Sequence, residues 1–249
     1  MPTETARSSP PSTTQPGPQP GPTAAIAPCT IPDSLHGVDV QVLPTTRKVV
    51  ALTFDGDASN DGALSVLATL AREGVPATFF LAADFVEEFP VIARSMAVHA
   101  IGNRMYNQSD LGALTDRGIR TEIRSAAARI RAVTGQDPRP LLRFPDGPVD
   151  PHLVSLANAE CYVPFRWTVD TLGWQGVTGG QSVETIVHRV LTKARPGEIV
   201  LMHLGTHSED HSTLDADALS GIIAALRAKG YGFVTLGALR GSHDSTPAP

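Results

Sequence analysis

The 249-residue chain is poor in cysteine, in aromatic residues and in charge. It has two cysteines, Cys29 and Cys161, with 5% aromatic and 18% charged residues. Two cysteines exclude a disulfide-dense scaffold and a four-cysteine zinc site. They leave one disulfide or two buried thiols, and we expect the thiols. No apolar run approaches the ~18 residues of a membrane-spanning helix, so we predict no membrane span.

The chain also lacks a basic excess. It carries 20 Lys and Arg against 25 Asp and Glu, a formal net charge of −5. A nucleic-acid-binding protein is expected to show a basic face, so we predict no nucleic-acid partner. The first ten residues, MPTETARSSP, do not contain the apolar stretch of a signal peptide. Hydrophobic residues make up 41% of the chain, which suffices for a packed core.

The amino-terminal segment differs in composition from the rest. Residues 1–28 contain 8 of the 21 prolines and 8 Ser or Thr residues, and their only charged residues are Glu4 and Arg7. Such a segment cannot bury enough apolar surface to offset its ordering entropy. We therefore predict a disordered tether at 1–34, one domain at 35–240 and a frayed tail at 241–249. The tether suggests an extracellular or cell-surface location, and we expect a monomer.

Strand and helix signals alternate along the domain. Short apolar runs typical of buried strands occur at 48–54, 77–81, 141–143, 162–169, 199–202 and 233–236. Helical spacing of apolar residues occurs at 61–73, after Thr115, after Ser182 and at 219–226. This alternation predicts an α/β fold with a parallel sheet covered by helices. The number of repeats favours an irregular (β/α) barrel, in which functional residues lie at the carboxyl ends of the strands.

Charged residues follow these strands directly. They are Asp55 and Asp57, Arg143 and Asp146, Asp170, and His203. Two carboxylates so close in the chain favour a bound metal or a shared proton. A histidine near an aspartate is a candidate general acid.

The order of these motifs resembles that of a known family. The chain contains, in order, TFDGD at 53–57, IGN at 101–103, RFP at 143–145, WTVDTLGW at 167–174 and IVLMH at 199–203. This series is similar to the motifs of polysaccharide deacetylases, which have the NodB-homology fold of carbohydrate esterases. The similarity runs from about Lys48 to Leu239. It implies an irregular (β/α) barrel that removes acetyl groups from N-acetylglucosamine-type glycans with a divalent, zinc-type metal. The implied partner is an acetylated polysaccharide or peptidoglycan.

The resemblance also implies catalytic roles. Asp55 matches the base that activates water, and Arg143 matches the arginine that holds that base in place. His203 matches the acid that protonates the leaving amine, and Asp170 matches the carboxylate that tunes the acid.

Three further positions match the binding part of the family's site. Trp174 and Leu201 match the apolar wall around the acetyl methyl group. Asp57 matches a metal ligand, although it lies one position later than the family pattern has it.

The sequence departs from the family where the metal should bind. Arg104 and Gln108 stand at the positions of the two metal-binding histidines. Arginine has no acceptor for a metal, and glutamine offers a single amide oxygen that suits zinc poorly. Leu204 stands where the family has an aspartate, and Gly173 replaces the second carboxylate of the Asp170 motif. The resemblance thus implies that the family's usual metal site is gone.

Three hypotheses follow. The domain keeps the barrel and binds glycan without standard hydrolysis, or it is an active N- or O-deacetylase with a rebuilt site, or it is a non-catalytic scaffold. The rebuilt site would draw on His203, His207, His211, Asp146 and Asp57. Zinc content separates the first two hypotheses, and a glycan pull-down separates the first from the third.

Arg104 has a specific predicted role under the first hypothesis. Asp55 and Asp57 converge on one mouth and would repel each other without a cation. A guanidinium can pair with two carboxylates through its fork of donors. We therefore predict that Arg104 bridges Asp55 and Asp57 and replaces the charge of the metal.

The composition of the tether yields a first test. Deleting residues 1–28 should leave the melting temperature within about two degrees, because a terminus without burial contributes little to stability. Thermal denaturation of the full and shortened chains measures this. A large loss of stability would show that the segment packs on the domain.

Overall fold

The computed structural model describes residues 31–107, 110–147 and 149–241. Most of the predicted tether, with Cys29, lies outside these residues, as do Gln108 and residues 242–249 of the predicted tail. The packed part of the chain begins before the predicted boundary at 35, because Ile31 is buried in the core. Cys161, for which we expected a buried thiol, is disulfide-bonded.

The described residues contain eight parallel strands in one sheet. The strands are β1 Val49–Gly56, β2 Thr78–Leu81, β3 Ala100–Asn103, β4 Leu141–Leu142, β5 Val163–Pro164, β6 Val169–Asp170, β7 Glu198–His203 and β8 Gly232–Phe233. Their order is β5-β4-β3-β2-β1-β7-β6, and β8 pairs with β1. The predicted α/β fold with a parallel sheet is confirmed.

The sheet curls because its two end strands are consecutive in the chain. Only residues 165–168 join β5 to β6, although these strands lie at opposite ends of the sheet order. Four extended residues span at most about 14 Å, so the two ends must approach each other. The result is the irregular, incompletely closed barrel that the alternation predicts. The single strand predicted at 162–169 is wrong, since this stretch forms both end strands and the crossover between them.

Helices cover the outside of the curled sheet. They are α1 Ala63–Glu73, α2 Ala83–Glu88, α3 Pro90–Ser95, α4 Asp116–Thr134, α5 Pro151–Ala159, α6 Val183–Lys193 and α7 Leu214–Ala228. Short 3-10 turns occupy Asp33–Leu35, Met96–Val98, Leu111–Ala113, Gly173–Gln175 and Leu236–Gly241. The helices predicted after Thr115 and Ser182 are α4 and α6. Thr115 and Ser182 cap them, since their side chains accept hydrogen bonds from the N–H groups of Gly118 and Thr185.

The two faces of β1 serve different purposes. All eight of its residues are buried, and successive side chains point to opposite faces. Leu52 and Phe54 pack toward the helices, where the Phe54 ring stacks on Phe79 at 5.2 Å between centroids. Ala51 packs with the residues inside the curl. Because Asp55 follows Ala51 by an even number of positions, it also points into the curl, at the carboxyl end of the strand.

No helix in the described part of the chain combines the length and the apolar character that a membrane crossing needs.

Candidate active site

One cavity of about 400 Å³ opens where the strands end. Its lining consists of Asp55, Asp57, Arg104, Asp146, Trp167, Asp170, Trp174, Leu201 and His203. The structure therefore brings together the candidate residues at the ends of β1, β6 and β7. Of the predicted set, Arg143 lies beneath the cavity, fully buried, and contacts it through Asp55.

Asp55 is the buried centre of the site. Its side chain is 1% exposed, and its Oδ1 accepts a hydrogen bond from Nη1 of Arg143 at 2.8 Å. Its Oδ2 makes an ion pair with Nη1 of Arg104 at 2.9 Å, without a well-aligned hydrogen bond. Burial alone would raise the pKa of Asp55, but the charges of Arg104 and Arg143 outweigh it and hold that pKa below its usual range.

Arg143 ties Asp55 to the crossover between the two end strands of the sheet. Its Nε and Nη2 donate to the carbonyl oxygens of Phe165 and Arg166, both at 3.2 Å. Its guanidinium also lies 4.1 Å from the centre of the Phe80 ring. These contacts give a fully buried cation hydrogen-bond acceptors on one side and an aromatic face on another. The group is therefore held in one orientation toward Asp55.

Arg104 bridges Asp55, which lies in β1, and Asp57, which lies in the loop that follows β1. Its Nε donates to Oδ1 of Asp57 at 2.6 Å, and its side chain is 8% exposed. Burial opposes the charge of Arg104, but Asp55 and Asp57 raise its pKa above the usual value. The predicted bridge between Asp55 and Asp57 is thus confirmed.

The turn after β3 aims Arg104 inward. Asn103, the last residue of β3, is fully buried, and its Oδ1 accepts from the N–H of Met105 at 2.7 Å. Its Nδ2 donates to the carbonyl of Ile123 in α4 at 2.9 Å and to the hydroxyl of Tyr162 at 3.2 Å. Met105 has a left-handed backbone with φ of 67°. This anchored turn fixes the backbone from which Arg104 projects.

His203 has a partner that the sequence did not suggest. Oδ2 of Asp215 accepts from the backbone N–H of His203 at 2.8 Å and lies 3.1 Å from Nδ1 of its ring. Burial lowers the pKa of His203, but Asp215, Asp55 and Asp170 together raise it above its usual value. Asp215 was missed because it lies in the first turn of α7, four residues before Leu219, where the predicted helix begins. An aspartate preceding an apolar helix is ordinarily a cap residue, so the sequence held no clear signal.

Asp170 lies in the cavity without being the direct partner of His203. Its Oδ1 accepts from the N–H of Leu172 at 2.8 Å. Burial is the main reason that its pKa is raised, against the hydrogen bond from Leu172. Its predicted influence on the histidine therefore acts through space.

The residues proposed for a rebuilt metal site do not assemble. His207 lies on the loop after β7, where its Nδ1 is 3.4 Å from Oδ2 of Asp210. His211 is exposed, with a left-handed φ of 55°. Only His203, Asp146 and Asp57 of that set line the cavity. Within the described ranges, no group of three or more His, Cys, Asp or Glu side chains is placed to hold a metal ion.

Comparison with known proteins assigns the chain to a family. The model of the polysaccharide deacetylase family matches residues 43–162. The peptidoglycan-N-acetylglucosamine deacetylase of Bacillus cereus is 32% identical over 195 residues, which is 78% of this chain and 68% of that protein. This chain belongs to the polysaccharide deacetylase family.

Solved structures of family members include both active and inactive proteins. A peptidoglycan N-acetylglucosamine deacetylase bound to a hydroxamate-type naphthyl benzamide gives a TM-score of 0.74 at 30% identity, covering 83% of this chain and 94% of that one. A CE4 family pseudoenzyme from Bacillus anthracis gives 0.72 at 28% identity, covering 82% and 69%. A mutant of that pseudoenzyme has restored enzymatic activity.

Polysaccharide deacetylases generally use a divalent metal, and the residues of this cavity do not fit one. Asp57, the predicted ligand, accepts a hydrogen bond from Arg104, and Oδ2 of Asp55 is ion-paired with the same guanidinium. Two guanidinium groups already balance these two carboxylates, so a divalent cation there would leave an excess of positive charge in a buried site. A metal would have to displace Arg104.

The buried bridge yields a second test. Arg104→Ala should lower the free energy of unfolding by more than about 1 kcal/mol, because a buried carboxylate loses its partner. Since the pKa of Asp55 is held low in the folded state, its contribution to stability is present above the unfolded pKa of about 3.9 and is lost as the pH falls through the folded value. The difference between variant and parent should therefore be largest near neutral pH and shrink in acid.

Denaturant unfolding at pH 7 and at pH 3 measures both effects. Arg129→Ala is a matched control, because Arg129 pairs with Glu87 at 2.6 Å but is 47% exposed and should cost clearly less. Equal stability of Arg104→Ala and its parent at pH 7 would show that the bridge is incidental.

Proposed function

We propose that this domain binds acetylated, N-acetylglucosamine-type glycan in the cavity without the metal-dependent hydrolysis of its family. The observation that carries the proposal is the Arg104 guanidinium between Asp55 and Asp57. It supplies positive charge at the mouth but cannot activate a water molecule as a metal does.

The resemblance of the motifs supports this proposal. By that resemblance, Arg104 and Gln108 stand where the family has its two metal-binding histidines. Gln108 lies outside the described residues, so the argument depends on Arg104. A loss of both histidines removes most of a protein ligand set, since a catalytic zinc needs about three protein ligands.

The walls of the cavity suit a sugar. The indole of Trp174 is 51% exposed at the rim, whereas Leu201 is 3% exposed on the cavity floor. Trp167 lines the same space. Apolar and aromatic walls with a few oriented polar groups are typical of a ligand pocket. Because relatives are peptidoglycan-N-acetylglucosamine and chitooligosaccharide deacetylases, we propose peptidoglycan or chitin-type oligomers as ligands.

The proposed ligand agrees with the proposed location. A proline-rich tether ahead of the packed residue Ile31 would let a monomeric domain reach cell-wall glycan from the cell surface. Both the tether and the monomer stay predictions.

An active deacetylase is the second candidate. Asp55 and His203 line one cavity, as a base and an acid would, and His203 has a carboxylate partner. In that case Asp55 is the base held by Arg143, and His203 is the acid influenced by Asp170. A chain that neither binds nor cleaves glycan would instead be a scaffold.

Ligand binding gives a third test. Calorimetry with N-acetylglucosamine oligomers should detect weak binding that Trp174→Ala abolishes, because the variant removes the exposed apolar wall. Val98→Ala, an 83% exposed residue that does not line the cavity, is the control. If the parent protein gives no heat at millimolar ligand, the proposal is contradicted and the hypothesis of a non-catalytic scaffold remains.

Rebuilding the metal site gives a fourth test. The double variant Arg104→His with Gln108→His should gain zinc, measured by elemental analysis, and deacetylation of chitin oligomers or peptidoglycan is assayed beside it. Arg104→His alone is the control for loss of the bridge. If the parent protein already deacetylates these glycans, the second candidate replaces the first. A folded double variant that still takes up no zinc would show that the site was lost in another way.

A further inference from the structure

Asp215 is a buried carboxylate far from the sequence motifs of the site. It lies in the first turn of α7 and is 3% exposed. One of its oxygens, Oδ2, contacts both the backbone N–H and the ring Nδ1 of His203. Because one oxygen makes both contacts, it fixes the orientation of the ring relative to the backbone of His203.

Its other oxygen lies against Gly173. A Cβ atom built on Gly173 would be 2.4 Å from Oδ1 and 2.5 Å from Cγ of Asp215. Neither distance is compatible with a side chain at position 173. The φ angle of Gly173 is outside the left-handed region, and it is the preceding Leu172 that has a φ of 61°. Gly173 is therefore required by the space that Asp215 takes, and not by the backbone.

The charges around His203 favour its protonated form. Asp215 faces it from α7, Asp55 from β1 and Asp170 from β6, and Asp55 is itself paired with Arg104 and Arg143. Oδ1 of Asp215 has no hydrogen-bond partner among the described residues. A buried carboxylate of this kind needs a cation nearby, and the imidazolium of His203 is the one in contact with it.

We infer that Asp215 is the positioning residue of His203, and that its carboxylate fills the place of a side chain at position 173. It holds the ring with Nδ1–H on Asp215, so that Nε2–H is the donor left for the cavity. This donor would meet a carbonyl or hydroxyl oxygen of a bound sugar, a consequence that rests on the proposed function.

The inference explains why the glycine and the aspartate occur together. By the resemblance, Gly173 stands where the Asp170 motif has its second carboxylate. The space that a side chain at 173 would take is filled here by a carboxylate from α7. The two positions are coupled, so a side chain can be introduced at 173 only if the one at 215 is shortened.

The titration of His203, followed by nitrogen-15 NMR of its ring, tests the inference directly. In the parent protein the His203 ring should stay protonated, with Nδ1–H bonded to Asp215, at pH values above the ordinary histidine pKa of about 6.5. Asp215→Asn should lower the midpoint by about one pH unit or more, a tenfold loss of proton affinity. Asp217→Asn, a change to an exposed residue in the same helical turn, should leave it unchanged.

A transplanted carboxylate supplies the rescue. Gly173→Asp alone should unfold or destabilise the protein, because its Cβ would overlap Asp215. The double variant Gly173→Asp with Asp215→Ala should fold and return the midpoint to within about half a pH unit of the parent. An Asp215→Asn protein with an unchanged midpoint, or a folded double variant with a midpoint as low as that of Asp215→Asn, would overturn the inference.

The parent protein alone also decides the matter if the variants fail to fold. A neutral His203 ring at pH 6, or one protonated on Nε2 only, would overturn the inference without any substitution. Sugar binding is measured separately by calorimetry. If calorimetry shows no heat while the His203 titration gives the expected results, only the proposed function is refuted. If heat is observed while the midpoint of Asp215→Asn equals that of the parent, only the positioning role is refuted.

Discussion

The rest of the site depends on how the carboxylate of Asp55 is neutralised. It sits at the end of the central strand, with its two oxygens paired to Arg143 and Arg104. Arg143 extends this contact to the carbonyls of the crossover that joins the two ends of the sheet. Arg104 extends it to Asp57. One carboxylate thereby connects β1, the turn after β3, the end of β4 and the seam of the curled sheet.

Such a cluster is costly to bury and costly to break. Taking charges out of water is repaid only when the geometry is good and each charge is paired, which is why removing one partner of a buried pair is strongly destabilising. Here the guanidinium groups of Arg104 and Arg143 are paired with the carboxylates of Asp55 and Asp57. The positive charge beside these two aspartates therefore comes from side chains of the chain itself.

The second charge pair of the cavity is built on a different part of the chain. His203 is fixed by Asp215, which lies twelve residues later and on a helix. Gly173 makes room for this carboxylate. The part of the site around His203 is thus fixed by a carboxylate from α7. The part that was expected to bind a metal, around Asp55 and Asp57, is occupied by Arg104. The two halves can differ in this way because they share the cavity but use separate partners.

The sequence by itself determined the alternation of strands and helices and the starts of the helices after Thr115 and Ser182, because these depend on local periodicity and capping chemistry. The Arg104 bridge was predicted from the convergence of Asp55 and Asp57 together with the motif position that the family resemblance gives to Arg104. Only the tertiary structure decided that 162–169 splits into two end strands, since strand pairing is not local. It also placed His207 and His211 outside the cavity. The partnership of Asp215 with His203 and Gly173 exists only after α7 packs against the sheet, and no local pattern in the sequence encodes that contact.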